Sequence, residues 1–218
     1  MVWEELAHAF LPDGDRLTLR RCGGEFEIRF NLVELMSSRG PVSEQAMAKL
    51  VCTRIGRDAH VLIGGLGMGY TVRAVLDAIG PGARVTVAEL VPEVIAWNRG
   101  ALAHLACRPL DDPRVTVVNE DVARVIRPCG FDAILMDVDN GPQAVLFPAN
   151  RFLYEADGVR LIVSGLRPGG VFVLWAADPS PGFERAVAAA GYACERRDIT
   201  VPGETGVKHT IYLVQRGA

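Results

Sequence analysis

The chain has 218 residues, 50% hydrophobic and 22% charged, a balance typical of one globular domain, or of one domain with a small appendage. The formal charge of −3 lacks the basic footprint of a nucleic-acid-binding protein, and no apolar stretch approaches the roughly 20 residues of a membrane span. The five cysteines form no Cys-x-x-Cys pair, which favours reduced thiols. The first residues contain no apolar run of signal-peptide length, and together these features predict a cytoplasmic location.

The N-terminal segment is predicted to form a small β-hairpin element. Residues 16–20 and 25–30 alternate polar and apolar side chains on either side of two glycines, the pattern of a hairpin with one solvated face. Helical spacing of apolar residues follows over 43–55. We therefore divide the chain into a hairpin element, 1–42, and a ligand-binding domain, 43–218.

Strands and helices alternate from residue 60 onward, which predicts a parallel α/β sheet. Five buried strands are predicted, at 60–64, 84–88, 114–118, 131–136 and 170–175. Two further strands, 194–201 and 208–214, are joined by a short loop with Pro and Gly and break the alternation. A parallel sheet closed by an antiparallel last strand is the outline of the class I methyltransferase fold, a Rossmann-like architecture.

The most informative segment is the glycine-rich turn after the first of these strands. Gly65, Gly67 and Gly69 follow the apolar run, and helical spacing begins directly afterwards. In such a turn the N–H groups of a helix N-terminus face a ligand, and glycine lets the backbone approach it closely. Tyr70 stands where the nicotinamide fingerprint would continue its glycine pattern, so the spacing favours S-adenosylmethionine over a dinucleotide.

Two carboxylates each follow a predicted buried strand. Glu89, with Leu90 after it, ends the strand 84–88, where an acid binds the ribose hydroxyls of a nucleoside. Asp137 follows the strand 131–136 at the carboxyl edge of the sheet, where such folds bind ligands. Beside a sulfonium, a carboxylate at that position can accept a proton from an incoming nucleophile. The alternative is that Asp137 only holds the donor's amino group or caps a turn.

The chain resembles the spermidine synthases over roughly residues 16 to 190. The resemblance is carried by five segments in the same order: 61–76, 85–95, 111–117, 131–137 and 166–170. It implies an S-adenosylmethionine-type donor and a small β-domain before the sheet. It also implies that Asp121 contacts the adenine amino group and that Val122 flanks the ring. A plain N-cap of the helix 122–127 is the competing role for Asp121, and both roles can hold at once.

The amine-binding half of the site departs from the family pattern. Met68 stands where the glycine motif of the family has an aspartate that holds the donor's amino end. Ser43-Glu-Gln45 replaces a tyrosine-containing segment of the first helix. In the loop after the predicted strand 131–136, Asp137 matches the first acid of the family's catalytic loop, and Asn140 stands where that loop has a later acid. The nucleoside half of the site therefore matches the family, and the polyamine half is altered.

The same loop also resembles, locally, the Mg²⁺ site of catechol-type methyltransferases. Asp139 and Asn140 offer oxygen ligands of the kind that Mg²⁺ prefers. Those enzymes need a further oxygen ligand after the fifth strand, and Asp178 is offset from that position. We therefore expect no metal.

These patterns predict an S-adenosylmethionine-dependent transferase, similar to spermidine synthases, that moves a methyl group to a small molecule. Because Met68 stands where the family has an acid, a carboxylate on the donor would meet less repulsion there. This favours S-adenosylmethionine over its decarboxylated form as the donor. The alternatives are aminopropyl transfer from decarboxylated S-adenosylmethionine to a diamine, and a non-catalytic nucleoside-binding scaffold. We expect no nucleic-acid or membrane partner; a homodimer is compatible with the sequence. Asp137 is the expected catalytic residue, and the expected donor-binding residues are Gly65, Gly67, Met68, Gly69, Glu89, Leu90, Asp121, Val122 and Asp137.

Overall fold

The N-terminal segment forms a four-stranded antiparallel sheet in a computed structural model, which describes residues 2–11, 14–138, 140–200 and 208–217. Its strands, in spatial order, are β1 (Glu4–Phe10), β2 (Arg16–Cys22), β3 (Glu25–Phe30) and β4 (Val33–Ser37). The predicted hairpin corresponds to β2 and β3. The two outer strands were not predicted because they bury little: Ala9 is the only fully buried residue of β1, and β4 has none.

The second sheet has seven strands in the order β10-β11-β9-β8-β5-β6-β7. Its strands are β5 (His60–Gly64), β6 (Arg84–Ala88), β7 (Val115–Val118), β8 (Phe131–Met136), β9 (Leu166–Ala176), β10 (Glu195–Thr200) and β11 (Lys208–Gln215). Strands β5 to β9 pair in parallel, whereas β11 pairs antiparallel with both β9 and β10. The predicted fold class is confirmed; the loop 202–207 lies outside the described residues.

Six helices of the described chain connect or cover these strands. They are α1 (Val42–Cys52), α2 (Tyr70–Ala78), α3 (Pro92–Arg99), α4 (Val122–Val125), α5 (Ala156–Gly165) and α6 (Pro181–Ala189). Two 3₁₀ segments, Pro109–Asp111 and Pro148–Tyr154, lie between them. No described helix has the length and apolar character needed to cross a membrane.

Strand β9 begins earlier than the expected 170–175. Leu166 already pairs with Phe131 of β8, and an irregularity in the register between Phe131 and Ala133 absorbs the Pro-Gly-Gly segment. The glycines therefore lie inside the strand rather than in a turn before it.

The core lies on both faces of the larger sheet. Along β5, Val61 and Ile63 pack into the apolar cluster that contains α1, α2, α3 and the N-terminal sheet, while Leu62 packs into the cluster with α5 and α6. All three side chains are fully buried, as expected for a central parallel strand covered on both faces. The strand order reverses at β5, which lies between β6 and β8, and in such sheets ligands bind at the carboxyl ends beside this reversal.

Candidate active site

A cavity of about 690 Å³ opens at the carboxyl ends of β5, β6 and β8. Its walls also include residues of β4, α1 and β11. The cavity therefore lies between the two sheets at the point where the strand order reverses. The predicted site residues that line it are Gly65, Gly67, Glu89, Leu90, Asp121, Val122 and Asp137.

The glycine turn is fixed mainly by the protein's own packing. Gly65 has a φ of +88°, and a Cβ there would overlap the backbone carbonyl oxygen of Asp137. Gly67 has a φ of +52°, and its Cβ would lie 2.7 Å from the Met36 sulfur, which covers the turn from β4. The glycines at both positions are thus required before any ligand is considered.

Met68 and Gly69 lie away from the cavity. The Met68 side chain is fully buried in the apolar cluster. Gly69 precedes α2 with a φ of +81° and faces Pro109 and Asn98. Neither residue is among those that line the cavity, so the structure gives them a packing role next to the turn.

Glu89 is held rigidly at the end of β6. Its side chain is 8% exposed, and its two carboxylate oxygens accept hydrogen bonds from the backbone N–H groups of Leu66, at 2.9 Å, and Val91, at 2.8 Å. Burial raises the pKa of the Glu89 carboxyl, and hydrogen bonds from backbone N–H groups partly offset that rise. Each carboxylate oxygen can accept a second hydrogen bond, so the group retains capacity for two ligand hydroxyls.

Asp121 and Val122 form a neighbouring part of the wall. The Asp121 carboxylate accepts a hydrogen bond of 2.8 Å from the backbone N–H of Ala123, and Asp121 is therefore the N-cap of α4. This is one of the two roles predicted for it. Val122 is 6% exposed and packs close to Gly64 at the end of β5. Leu90, in contrast, is 47% exposed and lies at the rim.

Asp137 follows β8, and its side chain is partly buried at the cavity wall. Its backbone N–H donates to the carbonyl oxygen of Gly64, at 2.9 Å, and the Thr71 hydroxyl donates to its Oδ2, at 2.6 Å. Burial raises the pKa of the Asp137 carboxyl, while the Thr71 hydrogen bond lowers it. A carboxylate with a raised pKa is a better proton acceptor, which suits the base role predicted for it.

A second carboxyl group, Glu44 of α1, lines the same cavity. It lies in the first turn of the helix, and its Oε2 accepts a hydrogen bond of 2.8 Å from the Ser43 hydroxyl. Burial raises the pKa of Glu44 to about 7, and the charge of Asp137 contributes to the rise. The sequence identified the segment 43–45 only as altered relative to the amine site of the family. The acid in that segment was the signal that could have identified Glu44 as a site residue.

The sequence profile of the Spermine/spermidine synthase domain matches residues 41–188. The chain belongs to the spermine/spermidine synthase family. A polyamine aminopropyltransferase of Mycobacterium tuberculosis is 34% identical over 153 residues, which are 65% of this chain and 28% of that protein. The chain thus spans under a third of the length of this curated relative.

Solved spermidine synthases share the fold of this family member. The enzyme of Thermotoga maritima superposes with a TM-score of 0.78 at 18% identity, covering 98% of this chain and 73% of that one. A spermidine synthase in complex with the transition-state analogue AdoDATO gives a TM-score of 0.77 at 18% identity, over 98% of this chain and 72% of that one. At this identity the likeness concerns the fold. The resemblance stated from the sequence is confirmed.

The family match ends at residue 188, yet the cavity continues beyond it. His209 of β11 lines the cavity, with its Nδ1 3.0 Å from the Ser43 hydroxyl oxygen, and its ring packs edge-on against Trp175. The indole Nε1 of Trp175 is buried and has no hydrogen-bond partner within the described part of the chain. Neither residue was expected at the site, because nothing in the sequence relates the last hairpin to α1.

The loop after β8 contributes Asn140, which lines the cavity with its side-chain amide 3.5 Å from the carbonyl oxygen of Glu34. Asp139 lies outside the described residues, and Asp178 is not among the residues lining the cavity. Within the described part of the chain, no group of three or more His, Cys, Asp and Glu residues is arranged to hold a metal ion.

Proposed function

We propose that the cavity binds decarboxylated S-adenosylmethionine and that the chain transfers its aminopropyl group to a diamine. The observation that carries the proposal is the placement of Glu89 and Asp137 in one cavity of a spermine/spermidine synthase fold, at the ends of β6 and β8, the two strands that flank β5. The name of the Mycobacterium tuberculosis relative and the AdoDATO complex of a structural neighbour support the same chemistry. Methyl transfer, the first expectation from the sequence, receives no support from these comparisons, which favour its aminopropyl alternative.

The donor's nucleoside fits the wall between α4 and β6. The adenine would lie against Val122 with its amino group toward Asp121, and the ribose hydroxyls would bind Glu89. This direction places the sulfonium toward Asp137, on the far side of the glycine turn. The order of the strands that precede these groups, β7-β6-β5-β8, supports the assignment.

The reaction needs one bond to form and one to break. The neutral amine nitrogen of the acceptor attacks the propyl carbon attached to sulfur, and the C–S bond breaks with both electrons going to sulfur. The sulfonium becomes a neutral thioether, 5′-methylthioadenosine, and the new ammonium loses its extra proton to the Asp137 carboxylate. A positioned base of this kind contributes on the order of 10²–10⁴-fold to the rate.

The test is to incubate the purified chain with decarboxylated S-adenosylmethionine and 1,4-diaminobutane and to analyse the products by mass spectrometry. We expect 5′-methylthioadenosine and an acceptor heavier by one aminopropyl unit, in equal amounts. Parallel reactions contain S-adenosylmethionine as donor and diamines of other lengths. A methylated acceptor, or donor binding without turnover of any diamine, would refute the proposal.

A cytoplasmic location, a homodimer and the division of the chain into 1–42 and 43–218 remain part of the proposal. The scattered free cysteines support the location, and the separate N-terminal sheet supports the division. Sedimentation of the purified chain tests the homodimer.

A further inference from the structure

Helix α1 holds a carboxylate in the cavity in a fixed orientation. Glu44 is 8% exposed, and its Oε2 accepts the hydrogen bond from the Ser43 hydroxyl. The single hydroxyl hydrogen of Ser43 is used in that bond, so Ser43 accepts from the Nδ1–H of His209, at 3.0 Å. The chain His209 to Ser43 to Glu44 joins the last strand to the first helix and orients the carboxylate.

Two like charges share this part of the cavity. Glu44 and Asp137 interact strongly enough for the charge of Asp137 to raise the pKa of Glu44. Among the described residues neither carboxyl forms an ion pair; their partners are the hydroxyls of Ser43 and Thr71. Glu44 is buried and Asp137 is partly buried, so a positively charged group placed between the two carboxylates would stabilise both of them.

The residue that the family pattern assigns to the donor's amine does not reach this cavity. Met68 has no charge and is fully buried in the core. We propose that Glu44 takes over that function: together with Asp137 it binds a primary ammonium group of the ligand and disfavours a carboxylate there. The proposal rests on the proposed function. It replaces the expectation that the donor keeps its carboxylate, since Glu44 supplies the negative charge that Met68 lacks.

The decisive variant is Glu44→Gln, which keeps the shape and removes the charge. Calorimetric titration at pH 8 uses three ligands: decarboxylated S-adenosylmethionine, 1,4-diaminobutane, and 5′-methylthioadenosine, which has neither ammonium group. We expect about 10- to 100-fold weaker binding of the ligand whose ammonium Glu44 contacts and unchanged binding of 5′-methylthioadenosine. The ligand that loses affinity identifies the ammonium as the donor's or the acceptor's. Glu25→Gln, an exposed acid on β3, is the matched control.

The pH dependence gives an independent measurement. Below pH 7 Glu44 must lose a proton to bind the ammonium, so affinity should rise with pH by up to about tenfold per unit and level off above pH 7. Glu44→Gln should remove this rise, and 5′-methylthioadenosine should not show it. The titratable or charged groups around Glu44 are Asp137, Tyr70, His209 and the Glu34–Arg39 ion pair.

Each outcome decides between the alternatives. Equal weakening of all ligands would mean that Glu44 only supports the cavity's shape, and unchanged binding of all of them would mean that it contacts none; either result overturns the proposal. If the wild-type chain binds no 5′-methylthioadenosine, the proposed function itself fails. If Glu44→Gln does not fold, Glu44→Asp keeps the charge on a shorter side chain and should show an intermediate loss confined to the ammonium-bearing ligand.

Discussion

Replacing Glu89 tests the proposed ribose contact, and the structure sets the expected magnitude. Both carboxylate oxygens have backbone donors and a free lone pair for a hydroxyl. Glu89→Gln keeps one acceptor oxygen. Its amide –NH₂ replaces the other oxygen and then faces a backbone N–H, so two donors meet and no hydrogen bond forms between them. Charge-assisted hydrogen bonds contribute about 1.5–3 kcal/mol each and are about twice as strong as neutral ones. Losing one ribose contact and weakening the other should therefore weaken nucleoside binding by about 2–4 kcal/mol, or roughly 30- to 1000-fold.

Glu89→Ala should in addition destabilise the fold. It leaves the buried N–H groups of Leu66 and Val91 without an acceptor, at about 1–3 kcal/mol each. Removing a carboxylate that is costly to bury offsets part of this, so we expect a net loss of about 1–3 kcal/mol, or a fall in Tm of roughly 2–12 °C.

The assay is calorimetric titration with 5′-methylthioadenosine, alongside thermal unfolding of each variant. Glu93→Gln is the control, because this acid lies in the first turn of α3 and does not line the cavity. A folded Glu89→Gln variant with wild-type affinity would refute the ribose assignment. A Glu89→Ala variant with unchanged Tm would refute the reasoning about the two backbone donors.

Asp137→Asn should lower kcat by about 10²–10⁴-fold and leave the affinity for 5′-methylthioadenosine unchanged, because a base acts only as the nucleophile loses its proton. Weak donor binding with a near-normal kcat would instead mean that Asp137 only holds the donor in place. The wild-type rate should rise with pH through the raised pKa of Asp137, since only the ionised carboxylate accepts the proton. Gly65→Ala should destabilise the chain by more than about 3 kcal/mol in denaturant unfolding, whereas Gly24→Ala, with open space around its Cβ, should change little. Glu44→Gln should raise the Tm at pH 8 but not at pH 5. The pKa of Glu44 is higher in the folded protein than in the unfolded chain, so the ionised carboxylate destabilises the fold at pH values above the pKa of the unfolded chain. The stability of the wild-type chain therefore falls as the pH rises toward 7, and the variant lacks this loss. Equal Tm changes at both pH values would contradict this.

The parallel sheet could be predicted because its strands are buried on both faces and read as continuous apolar runs between glycine and proline signals. The strands of the N-terminal sheet with one buried face, β2 and β3, were also predicted from their alternation. Strands β1 and β4 were missed because residues 4–10 and 33–37 are mostly accessible on both faces, so no period of two appears.

The nucleoside half of the site was predictable because its residues follow strands directly. Glu89 and Asp137 each come at the end of a buried parallel strand, and such ends meet at one edge of a sheet. Glu44, Trp175 and His209 were not predictable in this way. They reach the cavity from a helix and two antiparallel strands, and their proximity depends on tertiary packing that no local pattern encodes.

The hydrogen bond between Ser43 and His209 joins residues 166 positions apart, and the one between His60 and Asp132 spans 72. Contacts of such separation close long loops, whose entropic cost must be met before the contacts contribute, so they form late in folding. The side of the cavity that contains Glu44 is therefore completed only after α1 and β11 have packed together. A ligand that needs this side recognises only the finished fold, so it should slow unfolding while leaving the rate of refolding unchanged.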